Sequence, residues 1–211
     1  MKFSIIAALA VWSIQAEVLF EDKFESKLGP GWSWVRENPQ GWRAGDGILE
    51  IRIEPGNMWG PENSGRNVLV RELPKTPGAL EISMTVENRP TEQYEQVDLV
   101  SYFDDSHMVK IGQERVDGKL TIVMGREEGD RTRTIAIIPL ETARVELKQV
   151  LEGGKVTGKF RPEGEEEWRV AGSGDLPGEG RPRIAIQCYQ GPKDQERWAK
   201  ISNFRIQAVS K

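Results

Sequence analysis

Apolar and polar residues alternate in short runs along almost the whole chain from Val18 to Val209, and the runs are broken by Gly, Pro, Asn and Asp. A period of two is typical of β-strands with one buried face, whereas an amphipathic helix repeats its apolar residues every three to four positions. The pattern predicts strands at residues 18–22, 32–37, 48–54, 67–72, 79–87, 96–103, 108–114, 120–125, 132–138, 143–151, 155–161, 167–171, 182–189 and 198–209. Many short strands between turn residues predict an all-β, two-sheet antiparallel sandwich.

The clearest alternation lies in residues 93–115, which form a predicted hairpin around Asp104, Asp105 and Ser106. Its register follows from its apolar residues, Val97, Leu99, Phe103, Val109 and Ile111. They share one face only if the turn contains three residues or another odd number. A slip of one residue would turn one strand inside out. The opposite face then carries Gln96, Asp98, Tyr102, Lys110 and Glu114. Such groups can bind sugar hydroxyls, although an ordinary solvated face has the same composition.

The first residues have the composition of an export signal. Met1 and Lys2 precede an apolar run at residues 3–12, and the segment ends at Ala16 before the charged Glu17. The sequence therefore predicts a signal peptide at residues 1–16 and a single domain at residues 17–211, secreted or periplasmic. The apolar run is too short to be a permanent membrane-spanning helix, so no stable membrane insertion is expected.

The net charge, the single cysteine and the single histidine each argue against a class of function. The chain has 29 Lys+Arg and 33 Asp+Glu, so removal of Lys2 with the signal leaves 28 − 33 = −5. This acidity argues against a nucleic-acid partner, which would require a clustered basic face. Cys188 is the only cysteine, which excludes an internal disulfide. His107 is the only histidine and lies beside a predicted turn, which disfavours catalysis by a Ser-His-Asp triad.

Several segments together resemble a known group of domains. These are residues 96–105 with 108–114, Trp32-Ser-Trp34, Met58-Trp59, residues 67–71 and residues 201–206. The pattern is similar to that of concanavalin A-like lectin/glucanase jelly-roll domains, related to the C-terminal β-sandwich of family 43 β-xylosidases and to secreted bacterial domains of unassigned function. The resemblance implies a jelly roll over nearly all of the mature chain. It does not fix the function, because such sandwiches serve as lectins, hydrolases and accessory domains. Asp98 departs from the pattern, which usually has Gly at that position.

Sugar binding on a sandwich requires flat aromatic rings beside hydrogen-bonding groups. Trp34, Trp59 and Trp198 are the predicted surface aromatics, whereas Trp32, Trp42 and Trp168 are assigned to packing. For Arg71, contact with a sugar or carboxylate competes with an ion pair to Glu37 or Glu50. The predicted carbohydrate site consists of Trp34, Trp59, Arg71, Gln96, Tyr102, Lys110, Glu114 and Trp198.

Three functions remain open. The favoured one is a carbohydrate-binding or carbohydrate-processing accessory domain without catalysis, with an oligo- or polysaccharide as partner. The second is a glycoside hydrolase. The Glu-x-Asp-x-x-Glu arrangement of concanavalin-like glucanases is missing, so this function would use the cross-strand carboxylates Asp98 and Glu114, although an ion pair between Asp98 and Lys110 is the simpler interpretation. The third is a structural or protein-interaction domain of the cell envelope.

No cofactor is predicted. Four acidic residues lie next to turns, Asp22, Asp46, Asp104 and Asp105. Turn formation explains them, and none lies in a loop with closely alternating oxygen ligands. A structural calcium ion remains an open alternative.

Overall fold

The computed structural model describes residues 17–209. The predicted signal peptide, residues 1–16, lies outside the described residues. The strands are β1 (Glu17–Asp22), β2 (Trp32–Val35), β3 (Trp42–Gly45), β4 (Ile48–Arg52), β5 (Val68–Glu72), β6 (Ala79–Glu87), β7 (Gln96–Asp104), β8 (His107–Val116), β9 (Lys119–Glu128), β10 (Arg131–Pro139), β11 (Arg144–Glu152), β12 (Lys155–Pro162), β13 (Arg169–Asp175), β14 (Arg183–Tyr189) and β15 (Trp198–Val209). A single turn of 3₁₀-helix occupies Pro39–Gly41. Between residues 17 and 209, no helix reaches the length and apolarity needed to cross a membrane.

The strands form two antiparallel sheets packed face to face. The eight-stranded sheet has the order β13-β12-β11-β6-β15-β4-β3, with β1 also paired to β15, and the seven-stranded sheet has the order β10-β9-β8-β7-β14-β5-β2. The predicted two-sheet jelly-roll sandwich is confirmed. Strand β3 was not predicted, because Trp-Arg-Ala-Gly is too short to show alternation and ends in a turn at Asp46-Gly47.

The core lies between the sheets, and alternate residues of each strand fill it. Ile82, Leu147 and Ile206 of the eight-stranded sheet meet Leu99 and Ile111 of the other sheet, and all five are fully buried. Full burial of an aliphatic side chain contributes about 1.5–3 kcal/mol before the entropy of ordering is subtracted.

The predicted register of the β7–β8 hairpin is confirmed. Leu99 pairs with Ile111 and Asp104 with His107, and a bulge shifts the register between Tyr102 and Asp104. The two-residue turn plus the bulged residue has the parity of a three-residue turn, so Val97, Leu99, Val109 and Ile111 all reach the core. Phe103 does not, and that part of the prediction is wrong. It is the bulged residue, and its half-buried ring lies against Gly178.

A second, smaller apolar cluster covers part of the outer face of the seven-stranded sheet. Its members are Met58, Val68, Val70, Val100, Tyr102, Met108, Ala185 and Tyr189. Met58 comes from the connection between β4 and β5, whose residues 55–65 fold over the sheet; we call this segment the covering loop. The outer face is therefore part apolar floor and part polar surface, and the covering loop determines which part remains open.

Candidate functional site

One end of the covering loop is held by Arg36. Its Nε donates to the carbonyl of Gly65 at 2.7 Å, its Nη1 lies 2.6 Å from Asp105, and its Nη2 lies 3.0 Å from Sδ of Met58. Asp105 also accepts from the hydroxyl of Tyr102 at 2.6 Å. Although burial opposes ionisation, the hydrogen bonds from Arg36 and Tyr102 hold the pKa of Asp105 below its usual value. The predicted sugar ligand Tyr102 is thus buried and already bonded.

The other end of the loop is shaped by Asn57 and Glu127. The side-chain oxygen of Asn57 accepts from the backbone amides of Met58 and Trp59 at 2.9 and 3.1 Å, which forms an Asx turn. The next amide, of Gly60, donates to the Glu127 carboxylate at 3.1 Å. Burial raises the pKa of Glu127 to about 7 even though this hydrogen bond favours the charged form. These contacts fix the backbone on both sides of Trp59.

The ring of Trp59 lies against Gly125 of β9 and Lys110 of β8. A Cβ placed on Gly125 would come within 2.5 Å of the ring, so only glycine leaves room for it there. The Lys110 ammonium lies 4.8 Å from the ring centroid, within the range of a cation–π interaction. The ring is half-buried, and its remaining surface faces outward.

Lys110 is the centre of a buried polar network. Its ammonium lies 3.2 Å from the Tyr189 hydroxyl, 3.4 Å from Glu114 and 3.5 Å from Asp98. It also donates to the Gln96 side-chain oxygen. Burial favours the neutral amine, but the neighbouring Asp98, Tyr189 and Glu114 outweigh burial and raise the pKa of Lys110. The lysine is therefore charged, and it holds the polar side chains of β7 and β8 in place.

Asp98 lies at the bottom of this network. It is 0% exposed, and its Oδ1 has no hydrogen-bond partner among the described residues. Burial raises its pKa to about 6, Lys110 lowers it and Glu114 raises it further. The ion pair between Asp98 and Lys110, the simpler of the two sequence interpretations, is confirmed.

A cavity of about 590 Å³ opens above this network. It is lined by Asn57, Trp59, Tyr94, Gln96, Lys110, Glu114, Val116, Asp117, Val123, Thr134, Ile137 and Gln190. The predicted site residues Trp59, Gln96, Lys110 and Glu114 are thus brought together. Asp98 and Tyr102 lie on the same face but do not line the cavity. One acid of the cross-strand pair considered for hydrolysis is therefore closed off from a ligand.

Tyr94, two residues before β7, was not among the predicted site residues. It lines the cavity, is 49% exposed and has φ 66°, in the left-handed region that bulky residues rarely adopt. Its amide donates to the Arg115 carbonyl at 2.8 Å and its carbonyl accepts from Gln96 at 2.7 Å. Gln190, also in the lining, has φ 62°. Backbone strain of this kind gathers at functional sites, and the sequence gives no signal for it because φ cannot be read from residue types.

Trp34 lies away from the cavity, so the prediction that it walls the site is wrong. Residues two apart in a strand point to the same side, so Trp34 shares the orientation of Trp32, and both pack against the core. The ring of Trp34 lies 5.0 Å from that of Trp42.

Arg71 and Trp198 also lie elsewhere. Arg71 is stacked 3.3 Å above the Phe20 ring and donates to the carbonyl of Pro30, so neither a cavity contact nor the expected pair with Glu37 or Glu50 forms. Burial lowers the pKa of its guanidinium. Trp198 lies on the other sheet under Arg43, at 4.7 Å.

Comparison with known proteins finds solved structures of similar fold. No family model and no curated protein matches the chain. Among solved structures, the GH43 protein BlXynB from Bacillus licheniformis matches with a TM-score of 0.77 and 19% identity, over 90% of this chain and 39% of that one. The xyloglucan PUL GH43B of Bacteroides ovatus matches with a TM-score of 0.74 and 18% identity, over 96% and 41%. A functionally unknown protein from Saccharomyces cerevisiae matches with a TM-score of 0.67 and 15% identity, over 86% and 98%.

The chain therefore has the β-sandwich fold that occurs in GH43 proteins, and the resemblance seen in the sequence is confirmed at the level of fold. It spans about two fifths of the length of the GH43 structures that it matches. At these identities the likeness concerns architecture alone.

Proposed function

We propose that the protein is a secreted or periplasmic accessory domain that binds an oligo- or polysaccharide in the cavity without catalysing its cleavage. The observation that carries the proposal is an exposed, strained Tyr94 beside Trp59, above a floor fixed by Lys110. A volume of about 590 Å³ is in the range of small-molecule and sugar pockets.

The chemistry of the lining supports a sugar. The flat faces of Tyr94 and Trp59 can stack on the C–H surface of a sugar ring, and Glu114, Gln190 and Thr134 can bond its hydroxyls. Because the floor is already hydrogen-bonded, little side-chain entropy is lost when a ligand binds. Another structure of similar fold is described as a xylan β-1,4-xylosidase from Bacillus halodurans, which supports a polysaccharide as partner.

The geometry favours binding over hydrolysis. Glycosidases place two carboxyl groups on either side of the scissile bond, roughly 5–9.5 Å apart. Asp98 is enclosed beneath Lys110 and cannot flank a ligand in the cavity. Glu114 lines the cavity but is bound to the same ammonium.

The decisive substitution is Tyr94→Ala, assayed by affinity electrophoresis in xylan, arabinan and glucan gels. Loss of a central aromatic contact costs about 1–2 kcal/mol, so the affinity should fall about five- to thirtyfold. The melting temperature should stay unchanged because the ring is half exposed. Tyr94→Phe should retain binding, and Val170→Ala, an exposed apolar residue on β13, serves as the matched control.

Two results would count against the proposal. One is that none of these polysaccharides retards the wild-type protein, and the other is that Tyr94→Ala binds as well as wild type. Release of reducing sugar by the wild type, lost in Glu114→Gln, would establish the hydrolase alternative instead.

A further inference from the structure

The charges around the cavity are unbalanced. Lys110 is the one cation in the lining formed by the described residues, and Glu114 and Asp117 are two acids, which leaves 1 − 2 = −1. Asp98, buried directly beneath Lys110, adds a further negative charge when ionised. The surface that a ligand meets is therefore acidic.

Lys110 has no hydrogen-bonding capacity left for a ligand. An ammonium has three N–H donors, and Lys110 faces four acceptors, on Gln96, Asp98, Glu114 and Tyr189. It is also only 2% exposed and has the Trp59 ring against it. Lys110, the cation that could otherwise pair with an anionic ligand, is thus already neutralised by protein carboxylates.

Two amide side chains of the lining are held by the backbone through one of their N–H groups. The Asn57 side chain donates to the Trp59 carbonyl at 2.9 Å, and the Gln96 side chain donates to the Tyr94 carbonyl at 2.7 Å. The carboxylates of Glu114 and Asp117 can only accept hydrogen bonds, and each has lone pairs beyond its contact with Lys110 or Gln93. The charged groups that a ligand meets in the cavity are thus acceptors, which suit hydroxyl groups and not carboxylates.

We infer that the cavity selects saccharides whose polar groups are uncharged hydroxyls and rejects those that carry carboxylates. This inference rests on the proposed carbohydrate-binding function. A uronic acid would place its carboxylate beside Glu114 and Asp117, where the described lining residues offer no free cation to pair it, and an unpaired charge there is strongly unfavourable. The discriminating residues are Glu114 and Asp117, and Lys110 is a positioning residue.

The test compares sugars that differ in charge. Polygalacturonate oligosaccharides are compared with their uncharged methyl esters, and xylo-oligosaccharides with the same chains carrying glucuronate. Affinities are measured by titration of tryptophan fluorescence and by calorimetry. The uncharged member of a pair should bind about tenfold or more tightly, equal to about 1.4 kcal/mol. Raising the salt from about 0.05 M to about 1 M should narrow that ratio, because repulsion near a surface is screened.

Substitutions assign the effect to the cavity. Asp117→Asn should reduce the preference about threefold or more, and Asn tolerates the positive φ of 50° at this exposed turn position. Glu114→Gln should reduce it further, because Lys110 would then lack one carboxylate partner. Glu166→Gln, which removes an exposed acid from the β12–β13 connection of the other sheet, should leave the preference unchanged.

The outcomes separate the two proposals. Equal or tighter binding of the acidic sugars, lost in Tyr94→Ala, would overturn the selectivity and leave the carbohydrate site intact. Failure of all these sugars to bind would overturn the carbohydrate function and the selectivity with it. A preference that persists unchanged in both Asp117→Asn and Glu114→Gln would overturn the assignment to these acids.

Discussion

Asp98 and Gly112 are paired across β7 and β8, and the residue type at each position depends on the other. A Cβ at position 112 would lie 1.7 Å from Oδ1 of Asp98 and 2.6 Å from the backbone carbonyl of Val97. The glycine therefore provides the space in which the buried carboxylate reaches Lys110. The departure from the family pattern at Asp98 is thus accommodated by the small residue opposite it.

Gly112→Ala should consequently destabilise the protein. The added methyl group would collide with backbone as well as with the carboxylate, and overpacking of this kind costs about 1–3 kcal/mol. Gly45→Ala in β3 is the matched control, because no atom lies within 4 Å of its Cβ position and its φ is not positive. Free energies of unfolding from urea titrations test the difference, and equal values for the two variants would refute the argument.

At the same scale, the sequence predicted part of the site correctly. Parity alone placed Gln96, Lys110 and Glu114 on one face, because side chains alternate along paired strands. It could not show that Lys110 is covered by Trp59, since that contact depends on a loop distant in sequence. Tyr94 was not predicted as a site residue, because its left-handed backbone conformation cannot be read from residue types.

The element that closes the site is the covering loop, residues 55–65, and one of its attachments is the guanidinium of Arg36. Arg36 bonds simultaneously to Gly65 and Asp105 and contacts Met58, a fork geometry that a lysine cannot reproduce. The loop carries Trp59 into position, so the shape of the cavity depends on this attachment as well as on the contacts of Asn57 and Glu127.

Arg36→Lys should therefore loosen the covering loop. We expect a loss of about 1–3 kcal/mol in the free energy of unfolding, since hydrogen bonds to a charged group are lost. Hydrogen exchange should accelerate at the amides of Ser64 and Gly65, both bonded to the Asn57 carbonyl at 3.0 Å. The surface pair of Arg43 with Glu50 provides the control, because Arg43→Lys at this exposed position should leave the free energy of unfolding nearly unchanged. Unchanged exchange at the loop amides in Arg36→Lys would show that other contacts hold the loop.

For the whole molecule, alternation of residue types was sufficient to predict the architecture, because each sheet buries one face. The pairing order of the strands could not be obtained this way. It depends on contacts between distant segments, such as β15 lying between β4 and β6, that no local pattern encodes. The position of the covering loop over the sheet could likewise not be predicted, since its Gly- and Pro-containing sequence is that of an ordinary surface loop.

The stability of the whole molecule should fall as the pH rises from about 4 to about 7. Burial raises the pKa of Glu127 from 4.5 to about 7 and that of Asp98 from 3.8 to about 6. Between the unfolded and folded pKa values the folded state binds more protons, so the free energy of unfolding decreases with pH, by at most about 1.4 kcal/mol per pH unit for each group. The carboxylate of Glu127 must then be ionised inside the protein, where, among residues 17–209, its one hydrogen-bond donor is the Gly60 amide.

Glu127→Gln removes this titration and keeps a side-chain oxygen for the Gly60 amide. Its stability relative to wild type should increase progressively from about pH 5 to about pH 8, as measured by chemical unfolding at each pH. The neighbouring Glu128 supplies the control, because its hydrogen bond with Arg126 lowers its pKa instead. A lowered pKa makes its contribution constant above the unfolded value of 4.5, so Glu128→Gln should show no trend over the same range. A difference between Glu127→Gln and wild type that does not vary with pH would mean that Glu127 titrates normally, and that the attachment of the covering loop at Gly60 involves no buried ionisation.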